Sequence, residues 1–101
     1  MSNKYNYNKS MQITFDPAKD AINIAKHGVS LATARQLDWS AVMVKPDMRK
    51  DYAELREIGY GPIGNRLYCV VLVQRGEDFH IISLRKANSR EVKEYEQTTE
   101  D

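Results

Sequence analysis

Leu67-Tyr-Cys-Val-Val-Leu-Val73, then Gln74-Arg-Gly-Glu-Asp78, then Phe79-His-Ile-Ile-Ser-Leu84 is the stretch that decides the fold. The first segment is an unbroken apolar run, short and rich in β-branched residues, which suits a central strand buried on both faces. Arg75-Gly76-Glu77-Asp78 carries the residues of a tight turn, and Phe79–Leu84 returns as a second strand, so the pair is antiparallel. Alternation along that second strand predicts Ile81, Ser83 and Arg85 on one face and His80, Ile82, Leu84 and Lys86 on the other.

Working outward towards the N-terminus, Gly64-Asn65 makes a turn back into Tyr52–Ile63. Gly59, Gly61 and Pro62 weaken that strand and predict an edge or bulged position. Ala41–Val44 reads as another strand, ended by Lys45-Pro46-Asp47. Further upstream, Asp16-Pro17 marks a helix start, because Asp16 can accept from free backbone N–H groups and Pro17 lacks one. Ala18, Ile22 and Ala25 give this helix a narrow apolar stripe, and Gly28 ends it. Ser30 caps a second short helix with Leu31, Ala34 and Leu37 on its apolar face. Met11–Phe15 alternates as a short edge strand. On the C-terminal side, Asn88 with Glu91 three residues on forms a capping box for a last helix carrying Val92 and Tyr95. The order β-α-α-β-β-β-β-α predicts an α+β fold, a small antiparallel sheet of about four strands with helices packed on one face.

At 101 residues the chain suits a single core, and 29% charged with 42% hydrophobic residues is the balance of a folded globule. The expected organisation is a polar flexible leader over residues 1–10, one domain over 11–97 and an acidic tail over 98–101, with Met11 a possible natural start. No apolar run approaches a membrane span, and no signal peptide is apparent. Cys69 is alone, which removes any intrachain disulfide and predicts a reducing, cytoplasmic setting. The net charge of +1 hides a distribution in which Glu94, Glu96, Glu100 and Asp101 gather at the end while Arg85, Lys86 and Arg90 lie just upstream.

Several residues could carry chemistry. Lys19, Asn23 and Lys26 share one face of the first helix, with His27 beside them. The same pattern also describes a solvated side with Lys and His complementing the helix dipole. Arg85 leaves the last strand close to a helix N-terminus, a combination suited to an anion, or else to a surface position. Arg56, between Glu54 and Glu57, reads equally as a surface ion pair. Tyr95 is either a packing aromatic or a phenol aimed at substrate. Trp39 and Cys69 read as core. No phosphate loop, zinc spacing, Ser-His-Asp pattern or calcium loop is present, so neither a metal nor a cofactor is implied.

In order, these signals resemble a family pattern. Phe15-Asp-Pro-Ala-Lys19 and Asn23-Ile-Ala-Lys-His-Gly-Val-Ser30 look like the opening of the BrnT toxins. Glu54-Leu-Arg-Glu-Ile-Gly59, the Leu67–Val73 strand, Ile81-Ile-Ser-Leu-Arg-Lys-Ala87 and Glu91 to Tyr95 continue the likeness. The resemblance implies a RelE-like fold and a type II toxin that cleaves RNA without metal and inhibits translation. It implies neutralisation by a BrnA-like antitoxin, and contact with promoter DNA only through the toxin–antitoxin complex, within which two toxin copies can pair. By that resemblance Lys26, His27, Arg56, Arg85 and Tyr95 fall on the active surface; Lys19, Asn23, His80 and Lys86 are further candidates for RNA contact. Two positions depart from the pattern: His80 stands where Arg is common, and Leu84 where a small residue is usual.

Such cleavage needs a base for the 2′-hydroxyl, an acid for the leaving 5′-oxygen and cations for the phosphorane. His27 has the ordinary pKa for either proton transfer, and Tyr95 or Glu91 could serve the other. A degenerate toxin fold that only docks an antitoxin would need the same basic face without proton-transfer groups.

Overall fold

A computed structural model describes residues 12–99; the expected leader 1–10, with Met11, and Glu100 and Asp101 of the expected tail lie outside the described residues. Strands β2 (Met43–Pro46), β3 (Glu57–Ile63), β4 (Arg66–Arg75) and β5 (Asp78–Lys86) form the expected antiparallel meander. A two-residue strand, β1 (Ile13–Thr14), adds to the far side of β5 and runs parallel to it. The sheet therefore has five strands, in the order β1-β5-β4-β3-β2. The fold is α+β, as the element order predicts.

β3 is not an edge: it lies between β2 and β4, and its glycines have a packing role. A Cβ on Gly61 would stand 2.6 Å from Val42 Cγ2, and one on Gly59 would be 3.0 Å from the other γ-carbon of that valine. The strand begins at Glu57 rather than Tyr52, since the chain before it loops back and Asp47 N–H donates to the Arg56 carbonyl at 2.8 Å.

The strict alternation expected along β5 fails at one point. Val71 pairs with Ser83 but Leu72 pairs with Ile81, so Ile82 is an extra residue in a β-bulge. Ile81 and Leu84 consequently both face the core, at 1% and 0% exposure. His80, paired with Val73, changes to the face that carries Ser83 and Arg85.

Helix α1 (Pro17–His27) starts and stops as its sequence predicts: Asp16 accepts from Ala18 N–H, and Gly28 takes the left-handed conformation at φ 73°. Its buried side is a correction. Ile22 is 58% exposed and Ala18 and Ala25 face solvent, while Asn23 is buried. The cause is the brevity of β1. Beyond His80 the outer edge of β5 has no neighbouring strand, and the Asn23 amide takes that place. It accepts from Leu84 N–H at 3.2 Å and donates to the Leu84 carbonyl at 2.8 Å and to the Val29 carbonyl at 2.9 Å. A pair of edge groups that would otherwise be orphaned is thus satisfied by a side chain.

The second helix is a 3₁₀ helix, Leu31–Gln36, followed by a shorter one at Trp39–Ala41. Ser30 caps the first, and Leu31, Ala34 and Leu37 are buried as expected. Trp39 donates from Nε1 to the Ala34 carbonyl and packs its ring 4.8 Å from that of Phe79. With Val42, Val44, Val70, Leu72, Ile81 and Leu84 these residues form the core on one face of the sheet.

Helix α2 (Ser89–Thr99) opens on the expected capping box: Glu91 N–H donates to Asn88 Oδ1, and Asn88 N–H donates back to Glu91 Oε1. Its first turn meets the opposite face of the sheet, where Glu91 reaches Tyr60 and Arg85.

Candidate active site

The face opposite the core is mapped by strand register. One row across the sheet runs Lys45–Ile58–Val71–Ser83, and the next runs Met43–Tyr60–Cys69–Arg85. These rows, Met43 apart, line an open groove of about 750 Å³. Lys26 and His27, at the end of α1, line it beside β5. Arg90 and Glu91, in the first turn of α2, line it at the Tyr60–Arg85 end. Pro46, Met48 and Arg49 line it on the β2 side. The lining carries five Lys and Arg side chains against one carboxylate, so the near-zero net charge of the chain is not the charge of this surface.

Asn23 explains why α1 contributes. By holding the Leu84 backbone it fixes the helix against β5, and Lys26 and His27 follow three and four residues on, one turn further along the same side. His27 lies within the field of Arg85. Its pKa is lowered, first by partial desolvation and then by the Lys26 and Arg85 charges. The neutral imidazole, able to accept a proton, is thereby favoured near neutral pH.

Arg85 is held by a buried carboxylate. Its Nη1 and Nη2 donate to Glu91 Oε1 and Oε2 at 2.8 Å each, and Nη1 also donates to the Lys86 carbonyl at 3.2 Å. A guanidinium has five N–H donors. The two not used in these bonds, Nε–H and the second hydrogen of Nη2, lie on one edge and can meet two oxygens of a phosphate together. Glu91 also accepts from Tyr60 Oη at 3.2 Å. Arg85 foremost, then the Asn88 backbone, brings the Glu91 pKa down to about 2, so Glu91 is an anion and not an acid catalyst. Burial raises Tyr60, and it pushes the Cys69 thiol up to about 11, which leaves a packed, unreactive sulfur in the floor.

Of the residues singled out from the sequence, Lys26, His27 and Arg85 are brought together. Glu91 joins them as the carboxylate that holds Arg85, and the other candidates for catalysis or RNA contact are not in the groove. Asn23 is buried and used by backbone, so it cannot contact RNA from the surface. Tyr95 donates to the Ala41 carbonyl at 2.7 Å and anchors α2, with its pKa raised by burial, so it is not placed as the proton donor. Arg56 stacks over the Tyr52 ring at 4.1 Å, outside the lining. His80 shares the Arg85 face but sits about 13 Å along the strand, four residue rises by the β4 register, bonded to Thr14 Oγ1 at 2.9 Å. Lys19 and Lys86 are exposed elsewhere. Sequence reading missed Lys45, Arg49, Tyr60 and Ser83; register brings Lys45, Tyr60 and Ser83 together, and Arg49, in the loop after β2, is set by its ion pair with Asp47.

Among the described residues no three His, Cys, Asp or Glu side chains gather as a metal site, and no helix is long and apolar enough to cross a membrane. The family model described as ribonuclease toxin, BrnT, of type II toxin–antitoxin system matches residues 15–91. No curated protein matches the chain.

Proposed function

The chain belongs to the BrnT family of type II toxin–antitoxin ribonuclease toxins, and from that premise we propose that the Lys26–His27–Arg85 end of the groove is where RNA is cut. The observation that carries the reading is the convergence of a neutral-leaning His27 and a carboxylate-held Arg85 on one open surface. A base and a fixed cation meet two of the three needs of transfer to an internal 2′-hydroxyl, and the open groove admits water as the proton source for the leaving oxygen. His27 removes the hydroxyl proton, the 2′-oxygen attacks phosphorus, and the P–O5′ bond breaks as the 5′-oxygen takes a proton from solvent, producing a 2′,3′-cyclic phosphate and a 5′-hydroxyl. The free edge of Arg85, with Lys26 beside it, stabilises the charge that grows on the phosphorane oxygens. Donors so placed are typically worth ~10²–10³ in rate.

The donor set of the groove, one imidazole with Lys and Arg and a single ion-paired Glu, suits a reaction without metal. The finer expectations belong to the same proposal: arrest of translation, and an antitoxin of the BrnA kind laying an acidic segment over these cations. Promoter contact through the toxin–antitoxin complex, with paired toxin copies, belongs to it as well.

Expression without an antitoxin should arrest bacterial growth, and the purified chain should cut a defined RNA to cyclic-phosphate ends in the presence of EDTA. Normal growth at confirmed expression, together with intact RNA, would reduce this surface to a docking module.

A further inference from the structure

The groove extends well past the cutting end. Its opposite wall, beside β2, repeats the construction seen at Arg85: Arg49 donates from Nε and Nη2 to Asp47 Oδ1 and Oδ2 at 2.8 Å each. The Asp47 side chain is fully buried while the Arg49 side chain is 65% exposed. A buried carboxylate there fixes the direction of an otherwise mobile cation, and both Nη1 hydrogens remain for a ligand. Lys45 stands next to it, with its ammonium 5.8 Å from the centroid of the Tyr60 ring. Between the two walls the floor is apolar, made by the cross-strand pair Ile58 and Val71. β5 and β2 are three strand spacings apart, so the cationic walls are separated by roughly 14 Å.

We propose that the Lys45–Arg49 wall is a second phosphate subsite, and that single-stranded RNA crosses the groove with a base resting on Ile58 and Val71. The inference rests on the ribonuclease reading and extends it, by assigning what holds the strand on the side away from the bond that breaks. A single cation pair would suit any anion. Two carboxylate-held arginines facing one another across an apolar strip suit a chain that alternates charge and flat apolar surface, which is the character of unpaired RNA.

Single-stranded oligoribonucleotides of two to ten nucleotides test it, with wild type compared against Lys45→Ala, Arg49→Lys and Arg85→Lys. The loss from Lys45→Ala and Arg49→Lys should fall on KM and grow with length, to about tenfold for the longest, while Arg85→Lys lowers kcat at every length. Binding of a decamer bearing 2′-deoxy sugars, read by fluorescence anisotropy against salt, should lose about 0.7 from its log–log slope for each phosphate contact removed. Lys45 meets the buried Tyr60 ring only at 5.8 Å, a long contact whose loss leaves the fold in place, and Arg49→Lys keeps a charge beside Asp47. If nothing is cut but Lys45→Ala still weakens binding and flattens the slope, the catalytic reading fails and the channel stands. If RNA is cut and neither β2-side variant alters KM, length dependence or slope, the channel is wrong.

Discussion

Arg85 and Glu91 meet end-on where β5 hands the chain to α2, through two 2.8 Å bonds, with the arginine side chain 36% exposed and the carboxylate 6%. The pair joins folding to the site. Glu91 closes the capping box of α2, receives the Tyr60 hydroxyl and aims the guanidinium, so a change at either residue has two consequences.

The first expectation concerns stability. Surface arginines usually cost little to remove, but Arg85→Gln leaves a buried carboxylate short of its main partner. It should cost about 1–3 kcal/mol in urea unfolding. Glu91→Gln should cost a similar amount, and the double variant less than the sum, with a coupling of roughly 0.5–3 kcal/mol. Strict additivity would mean that the pair contributes nothing. Activity measurements on Arg85 variants therefore need melting curves alongside.

Acid should unfold the protein through the same carboxylates. Glu91 is lowered from 4.5 to about 2 by Arg85, and Asp47 from 3.8 to about 2 by Arg49. A carboxylate with a depressed folded-state pKa contributes stability above its unfolded value and loses it as pH falls towards the folded one. Melting temperature should thus drop between about pH 4.5 and 2, and Glu91→Gln should flatten the fall. An unchanged slope in that variant would remove Glu91 from the account.

For cleavage, the acid limb of the pH–rate profile should bend below 6.5, because desolvation, Lys26 and Arg85 all disfavour the imidazolium of His27. Lys26→Gln should move that bend upward, and His27→Gln should lower the rate and abolish the limb while RNA binding stays close to wild type. Retention of the limb in His27→Gln would assign the proton transfer to another group.

Asn23→Ala should behave as a core variant in spite of its helix-surface pattern. Three hydrogen bonds are lost and both Leu84 edge groups are orphaned, for a cost of about 2–4 kcal/mol. Activity should fall beyond what unfolding explains, because Lys26 and His27 ride on the helix that Asn23 docks. A loss within ~0.5 kcal/mol would deny it the edge-strand role.

Much of this architecture was legible because it is local. Asp16, Gly28, Ser30 and the Asn88–Glu91 box act within four residues of themselves, and each terminates an element where its chemistry requires. The apolar run through β4 needed no partner to be recognised. The α1 stripe misled because Ala18, Ile22 and Ala25 offer little area to bury, whereas Asn23 could repair the open edge of β5. That edge exists only once β1 has stopped after two residues.

The order of elements, their caps and the family itself followed from the sequence alone, since short-range hydrogen bonding and hydrophobic periodicity are written along the chain. The site did not. A single extra residue at Ile82 reverses the facing of His80 relative to Arg85, and cross-strand register brings Lys45, Ile58, Val71 and Ser83 into one row. Those outcomes depend on how strands slide and pair, a choice made by packing on the far side of the sheet, so only the tertiary structure could decide which cations share a groove.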